Sequence, residues 1–139
     1  MYDHGWGVPV DATQSVAWLK RGAEQKNPLD LYELGRLYEQ GISVPQDYGH
    51  ALKLYQLASN GLFQPALLAL SKMYRDGHGV KPSQQTAYMW AWLAGHRGNA
   101  EGKQLAKALE AQLNNQQIDI AKKEAVGHST GRILYTDNP

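Results

Sequence analysis

A Tyr-x-x-Gly segment recurs every 36 residues along this chain of 139 residues. The three copies begin at Tyr2, Tyr38 and Tyr74 and read YDHGWGVPVD, YEQGISVPQD and YRDGHGVKPS. The same register aligns further positions, among them Gly5, Gly41 and Gly77; Val8, Val44 and Val80; and Trp18, Leu54 and Trp90. A period of this length is typical of arrays of small stacked units, each of which cannot bury its apolar face alone.

Each unit is predicted to hold a helix A, a glycine-containing loop and a helix B. Apolar residues three and four positions apart indicate amphipathic helices on both sides of the loop. In the first complete unit, helix A is expected to begin after Asn27, a suitable N-cap, and to end at Gly41. Helix B is expected to run from the cap Asp47 to Asn60, and Gly61 is expected to take the left-handed conformation that ends it.

The period divides the chain into one domain of five segments. These are a half repeat (1–27), two repeats (28–63 and 64–99), a C-terminal helical cap (100–126) and a loose tail (127–139). The first helix B has no helix A before it, so we expect either that the sequence is a fragment of a longer array or that something else, such as a second copy of the chain, covers the apolar face of this helix. In the cap, a helix over 100–113 is expected to precede a shorter helix around Ile118, Ala121 and Ala125. Residues 133–135 of the tail are expected either to dock back or to contact a partner.

Composition excludes several classes of function. The formal net charge of +1 provides no basic surface of the kind that binds nucleic acid. The absence of cysteine excludes disulfides, thiolate zinc sites and cysteine nucleophiles. No apolar run reaches the roughly 18 residues of a membrane-spanning helix, and no basic-then-apolar leader opens the sequence. We therefore expect neither nucleic-acid binding nor membrane insertion, and the compartment stays open.

No residue pattern indicates a catalytic, metal or cofactor site. The loop at Gly77 and Gly79 precedes a helix, but it lacks the strand and the lysine of a phosphate-binding loop. The histidines form neither an i, i+4 pair nor a zinc motif, and they are His4, His50, His78, His96 and His128. Because catalytic triads assemble from distant positions, a hydrolase remains a distant alternative. We expect no cofactor, no metal and no enzyme activity.

The tryptophans fall into two groups. Trp18 and Trp90 share a repeat position and are expected to pack in the core. Trp92 aligns with polar residues in the other units, which predicts an outward ring, and Trp6 lies at a loop tip. Exposed tryptophans are enriched at binding hot spots, so Trp6 and Trp92 are candidate partner contacts. Partial burial of these two rings against the next repeat is the alternative.

Residues 34–61 and 70–95 resemble the Sel1-like repeat, a relative of the tetratricopeptide repeat. They carry its pattern of Leu-Gly-x-Leu-Tyr, Gly-x-Gly-Val and Ala-x-x-Trp, with departures such as Ser43 and Ser83. The resemblance extends over residues 1–113. It implies an all-α fold, a right-handed α-α superhelix (solenoid) whose A helices line a concave face. It also implies the function of most family members, which are adaptors that hold other proteins together.

Binding specificity in such an array is expected where the repeats differ, because the shared residues are used in packing. On helix A the differing positions present mixed charge with a basic excess. The predicted partner-binding residues are Leu29, Glu33, Arg36, Gln40, Ala69, Lys72 and Arg75, together with Trp6 and Trp92. We therefore predict a module that binds an extended or helical peptide with acidic residues. The alternatives are self-association through the first helix B, and a solvated face that contributes only solubility.

Overall fold

Seven α-helices follow one another in the structure, a computed structural model that describes residues 12–135. They are α1 (Ala12–Glu24), α2 (Pro28–Gln40), α3 (Tyr48–Ser59), α4 (Gln64–Asp76), α5 (Gln84–His96), α6 (Ala100–Glu110) and α7 (Asn115–Ser129). No β-strand occurs within residues 12–135. Each helix from α1 to α5 packs on the next one, and α7 returns to pack on α5. The predicted all-α solenoid is confirmed.

The helix boundaries follow the 36-residue period because the capping residues do. The side chain of Asn27 caps α2 by accepting hydrogen bonds from two backbone N–H groups, at 3.0 and 3.2 Å. Asp47 and Ser83 cap α3 and α5 in the same way. Gly41 and Gly77 end α2 and α4 with φ angles of 70° and 75°, the left-handed conformation that glycine adopts without a steric penalty. The boundaries predicted at Asn27, Gly41 and Asp47 are confirmed.

A residue with positive φ occupies the turn between each helix B and the next helix A. These residues are Lys26 (φ 63°), Leu62 (φ 55°) and Gly98 (φ 99°). The prediction that Gly61 takes this conformation is wrong, since Leu62 takes it one residue later. A side chain with a β-carbon resists the left-handed region by about 1–2 kcal/mol. The stacking of successive units therefore fixes the turn, and residue type does not.

Trp18 and Trp90, which share a repeat position, differ in burial. Trp90 is fully buried, with His128 of α7 at 4.6 Å between ring centroids. The prediction that Trp18 is a core residue is wrong, because its side chain is 67% exposed. The reason is its position in α1, whose principal packing partner among the described residues is α2. Arg21 lies over the exposed indole, with its guanidinium carbon 5.4 Å from the ring centroid.

The C-terminal end contains more helix than the sequence predicted. α7 has 15 residues and begins with a capping box between Asn114 and Gln117. The predicted loose tail from Gly127 therefore begins inside α7, and the predicted short final helix is wrong. Beyond the helix, Tyr135 docks back onto Asn60 at the end of α3. Of the two outcomes expected for this segment, the structure shows docking.

Candidate functional site

A groove of about 390 Å³ lies between α2 and α4, the A helices of the two complete units. We call it the A-helix groove. α2 contributes one wall, α4 contributes the other, and Tyr55 of α3 lies between them. The lining residues are Tyr32, Arg36, Glu39, Tyr55, Pro65, Leu68, Ala69, Lys72 and Asn99. The groove thus combines aromatic and aliphatic surface with three charged side chains.

A hydrogen bond between Tyr55 and Glu39 fixes the base of this groove. The Tyr55 hydroxyl donates to Glu39 Oε1 at 2.6 Å, and the Tyr55 ring is fully buried. Gly35 makes room for that ring, since a β-carbon there would lie 2.8 Å from Tyr55 Cε1. Burial, followed by the bond to Glu39, raises the pKa of Tyr55 well above its ordinary value. Tyr55 therefore stays protonated and holds the Glu39 carboxylate in place.

The two cations of the A-helix groove each have an acidic neighbour. Lys72 Nζ lies 2.8 Å from Glu101 Oε2, and Arg36 lies 3.5 Å from Glu33 Oε1. All four side chains are partly exposed. Exposed ion pairs of this kind contribute about 0–1 kcal/mol. A ligand carboxylate could replace either acidic neighbour at little energetic cost.

Two further grooves lie beside the B helices at equivalent positions of the repeat. The N-terminal B groove, about 340 Å³, is formed by α1, α2 and α3, and the C-terminal B groove, about 320 Å³, by α5 and α6. Six residues of the first are Lys20, Ala23, Glu24, Leu31, Leu34 and Tyr38. Two periods later, their counterparts in the second are Trp92, Gly95, His96, Lys103, Ala106 and Glu110. The B grooves are therefore a product of the repeat itself.

The Sel1 repeat model matches residues 1–27, 28–61 and 64–99. The chain belongs to the Sel1 repeat family. Proteins built from Sel1 repeats are generally protein-interaction modules. The two units that form the A-helix groove are thus two complete Sel1 repeats.

Two named proteins are similar in sequence to this Sel1 repeat chain. The chitin synthase regulator SKT5 of Malassezia restricta is 33% identical over 68% of the chain, which covers 7% of that protein. The alginate biosynthesis protein AlgK of Pseudomonas syringae pv. tomato is 26% identical over 88% of the chain, which covers 26% of that protein. The chain therefore spans about a quarter or less of the length of these relatives.

Two crystal structures share the fold. A protective antigen of uropathogenic Escherichia coli, which displays this repeat fold, superposes over 84% of the chain and 25% of its own, with a TM-score of 0.80 and 22% identity. A Sel1 repeat protein from Oxalobacter formigenes superposes over 75% of the chain and 78% of its own, with a TM-score of 0.69 and 27% identity. Both support the solenoid architecture of the Sel1 repeats described above.

The structure places the predicted partner-binding residues in different environments. Arg36, Ala69 and Lys72 line the A-helix groove, and Glu33 borders it through its contact with Arg36. The others lie outside that groove, and they are Leu29, Gln40, Arg75 and Trp92. Trp6 lies outside the described residues. The role of all of these residues in binding stays a prediction.

Arg75 and Trp92, which lie outside the A-helix groove, have partners elsewhere. Arg75 binds its neighbour Asp76 with two hydrogen bonds, at 2.9 and 3.0 Å. The hydrogen bond from Arg75 holds the pKa of Asp76 below its usual value. Trp92 is half-buried and stacks on His96, with ring centroids 3.7 Å apart, at the edge of the C-terminal B groove. The outward ring predicted for Trp92 is therefore only partly exposed, as the alternative held.

Tyr32, Glu39 and Tyr55 line the A-helix groove but were not among the predicted residues. Tyr32 and Glu39 lie four residues before and three residues after the predicted Arg36, on the same stripe of α2. Tyr55 belongs to helix B, whereas the prediction placed the binding face on the A helices. The spacing of Tyr32 and Glu39 around Arg36 was the signal that could have identified the stripe.

The described histidines all stack on aromatic rings. His50 stacks on Tyr38 at 4.0 Å, and His78 stacks on Tyr48 at 4.5 Å, measured between ring centroids. No group of three or more histidine and acidic side chains that could hold a metal ion occurs within residues 12–135. None of the helices in that range combines the length and apolar character needed to cross a membrane.

Proposed function

We propose that the chain is a non-catalytic interaction module that binds a protein partner through the A-helix groove. The ligand is an extended or helical peptide segment with acidic side chains. The A helices form the face that is expected to be concave, and the groove runs between two of them. Family membership supports the general function, since Sel1 repeats generally mediate protein interactions.

One observation carries the choice of this groove. Arg36 and Lys72 occupy the same repeat position on successive A helices, and both line the groove. Each cation is held by a partly exposed acidic neighbour that a ligand carboxylate can replace. Tyr32 and Leu68 line the same groove one helical turn before the two cations, and their half-buried surfaces suit an apolar side chain of the same peptide.

Affinity capture from host lysate tests the proposal. The baits are the wild-type chain, an Arg36→Glu/Lys72→Glu variant and a Lys53→Glu/Lys81→Glu control. Lys53 and Lys81 are exposed and line none of the three grooves. Each variant replaces two cationic residues with glutamate, so the net charge changes by the same amount in both. Circular dichroism establishes that all three are folded. The proposal predicts a partner that the groove variant loses and the control retains, and a partner kept by all three contradicts it.

Self-association is the second candidate function, favoured by the exposure of Trp18. An indole that is 67% exposed on α1 is a suitable anchor for a second copy of the chain. Analytical ultracentrifugation over a wide concentration range tests this function. A dimer that dissociates on Trp18→Ala supports it, and a monomer at every concentration contradicts it.

We propose no enzymatic reaction for this chain. The distant hydrolase alternative gains no support from His50 and His78, since both rings stack on tyrosines. Turnover of a substrate by the purified protein, lost on His50→Ala or His78→Ala, would overturn the non-catalytic proposal.

A further inference from the structure

A third B groove lies between the two open ones and is filled by the chain itself. Shifting the N-terminal B groove by one period gives Asn60 for Glu24, Tyr74 for Tyr38 and Trp90 for Leu54. We call the resulting position, defined by Asn60, Tyr74 and Trp90, the middle B groove. Tyr135 contacts two of these three residues, hydrogen bonding with Asn60 and lying 6.3 Å from Trp90 between ring centroids.

The segment reaches this groove through a reversal of the chain after α7. Gly131 has a φ of 81°, the left-handed conformation that ends many helices. The N–H groups of Arg132 and Ile133 both donate to the carbonyl of Gly127, at 2.9 and 3.1 Å. The chain is thereby directed back across the B helices toward α3.

The oxygen and the nitrogen of the Asn60 side-chain amide each form a hydrogen bond with the backbone of the segment. The Tyr135 N–H donates to Asn60 Oδ1 at 2.8 Å, and Asn60 Nδ2 donates to the Tyr135 carbonyl at 2.6 Å. A side-chain amide used in this way pairs with the N–H and the C=O of one residue, as a neighbouring β-strand would. Such a contact recognises an extended backbone whatever its sequence.

The aromatic ring of Tyr135 supplies the remaining recognition. It stacks on His128, with ring centroids 5.7 Å apart, and burial raises the pKa of Tyr135 to about 12. The preceding residues contribute less, since Ile133 is 39% exposed and Leu134 is 54% exposed. The two hydrogen bonds from Asn60 to the backbone of Tyr135 and the half-buried ring of Tyr135 thus hold the end of the segment. An attachment this small is suited to exchange with another ligand.

We propose that the middle B groove is a binding site for an extended peptide that carries a tyrosine at the position clamped by Asn60. The C-terminal segment occupies this site in cis, and a free peptide of the same chemistry competes with it. The tethered segment acts at an effective concentration on the order of millimolar, so the site is closed to weak ligands while the segment is seated. This site differs in position and in ligand from the A-helix groove.

A peptide titration with the full chain tests this proposal. The probe is a capped peptide with the sequence of residues 130–136, and its binding is followed by NMR through the side-chain amide signals of Asn60. A Tyr135→Ala chain removes the anchoring ring of the cis segment. We expect this variant to bind the peptide at least tenfold more tightly than the wild type. The peptide should also return the Asn60 amide signals toward their wild-type positions.

Two controls distinguish specific recognition of the peptide from nonspecific binding. A peptide with alanine in place of its tyrosine should not bind, and an Asn60→Ala/Tyr135→Ala chain should not bind the original peptide. A folded Tyr135→Ala chain whose Asn60 signals do not respond to millimolar peptide overturns the proposal. Failure of that variant to fold also overturns it, because the segment would then be a permanent part of the core.

Hydrogen exchange of the wild-type chain provides an independent measurement. A competing peptide can bind only while the C-terminal segment is detached from the middle B groove. The same local opening exposes the Tyr135 amide, which is therefore predicted to exchange faster than the buried amides of α5. Exchange of the Tyr135 amide only through global unfolding would overturn the proposal.

Discussion

Gly102 controls how closely α5 and α6 approach each other. A β-carbon at this position would lie 2.9 Å from Ala94 Cβ, 2.9 Å from the backbone nitrogen of Gly95 and 3.0 Å from the carbonyl oxygen of Ala91. All three atoms belong to the backbone or to a β-carbon of α5, so no side chain can rotate away. Substitution Gly102→Ala must therefore push the two helices apart.

The expected cost is the difference between two opposing effects. Forcing a methyl group into a closely packed core costs about 1–3 kcal/mol. Alanine recovers up to about 1 kcal/mol of helix propensity relative to glycine. With the full propensity gain, the free energy of unfolding should therefore fall by up to about 2 kcal/mol, which corresponds to a Tm lower by up to roughly 7 °C for a domain of this size.

The same substitution at Gly49 provides a matched control. Gly49 also lies in the first turn of a helix, but it is exposed, and a β-carbon there would meet only Asp47 Oδ1, at 3.4 Å. Gly49→Ala should leave the Tm unchanged or raise it, because the propensity gain is not opposed. Thermal and urea unfolding, followed by circular dichroism at 222 nm, measure both. A Gly102→Ala chain as stable as Gly49→Ala would refute the packing argument.

Three further substitutions test other parts of the fold. Ser43 is exposed with a φ of 67°, a conformation that glycine adopts more easily. Ser43→Gly should therefore raise the free energy of unfolding, measured by urea titration, by about 0.5–1 kcal/mol. A lower free energy of unfolding would show that this φ is not strained. Asn27→Ala removes the cap of α2 and should cost about 1 kcal/mol by the same assay, while an unchanged midpoint would contradict the capping role. Burial lowers the pKa of His128 below its ordinary 6.5, partly offset by a hydrogen bond to the backbone of Ile133. The unfolded chain then binds this proton more readily, so stability should be full above pH 6.5 and fall as the pH drops below it, a dependence that His128→Phe should reduce.

Local signals with a direct physical cause were predictable from the sequence. Asn27, Asp47 and Ser83 cap helices because their side chains reach backbone N–H groups two or three residues ahead, an interaction that needs no distant part of the chain. The left-handed glycines Gly41 and Gly77 were predictable for the same reason. The period extended these local rules to the whole array.

Features that depend on distant neighbours could not be predicted. The exposure of Trp18 depends on what lies beside α1, and the left-handed conformation of Leu62 depends on how two units stack. The docking of Tyr135 onto Asn60 joins residues 75 positions apart. The A-helix groove was found in part, because the predicted stripe contained Arg36 but not Tyr55, which reaches the groove from another helix.

Photo-crosslinking from within the A-helix groove would test the proposed interaction surface most directly. Leu68 lines the groove, and Ile42 is an exposed aliphatic residue in the loop after α2 that lies outside it. A photoreactive phenylalanine analogue is placed at one position or the other, and the protein is irradiated in host lysate. If the A-helix groove binds the partner, a covalent adduct with a partner protein is expected from position 68 and none from position 42. An adduct with that partner from position 42 alone would contradict binding through this groove.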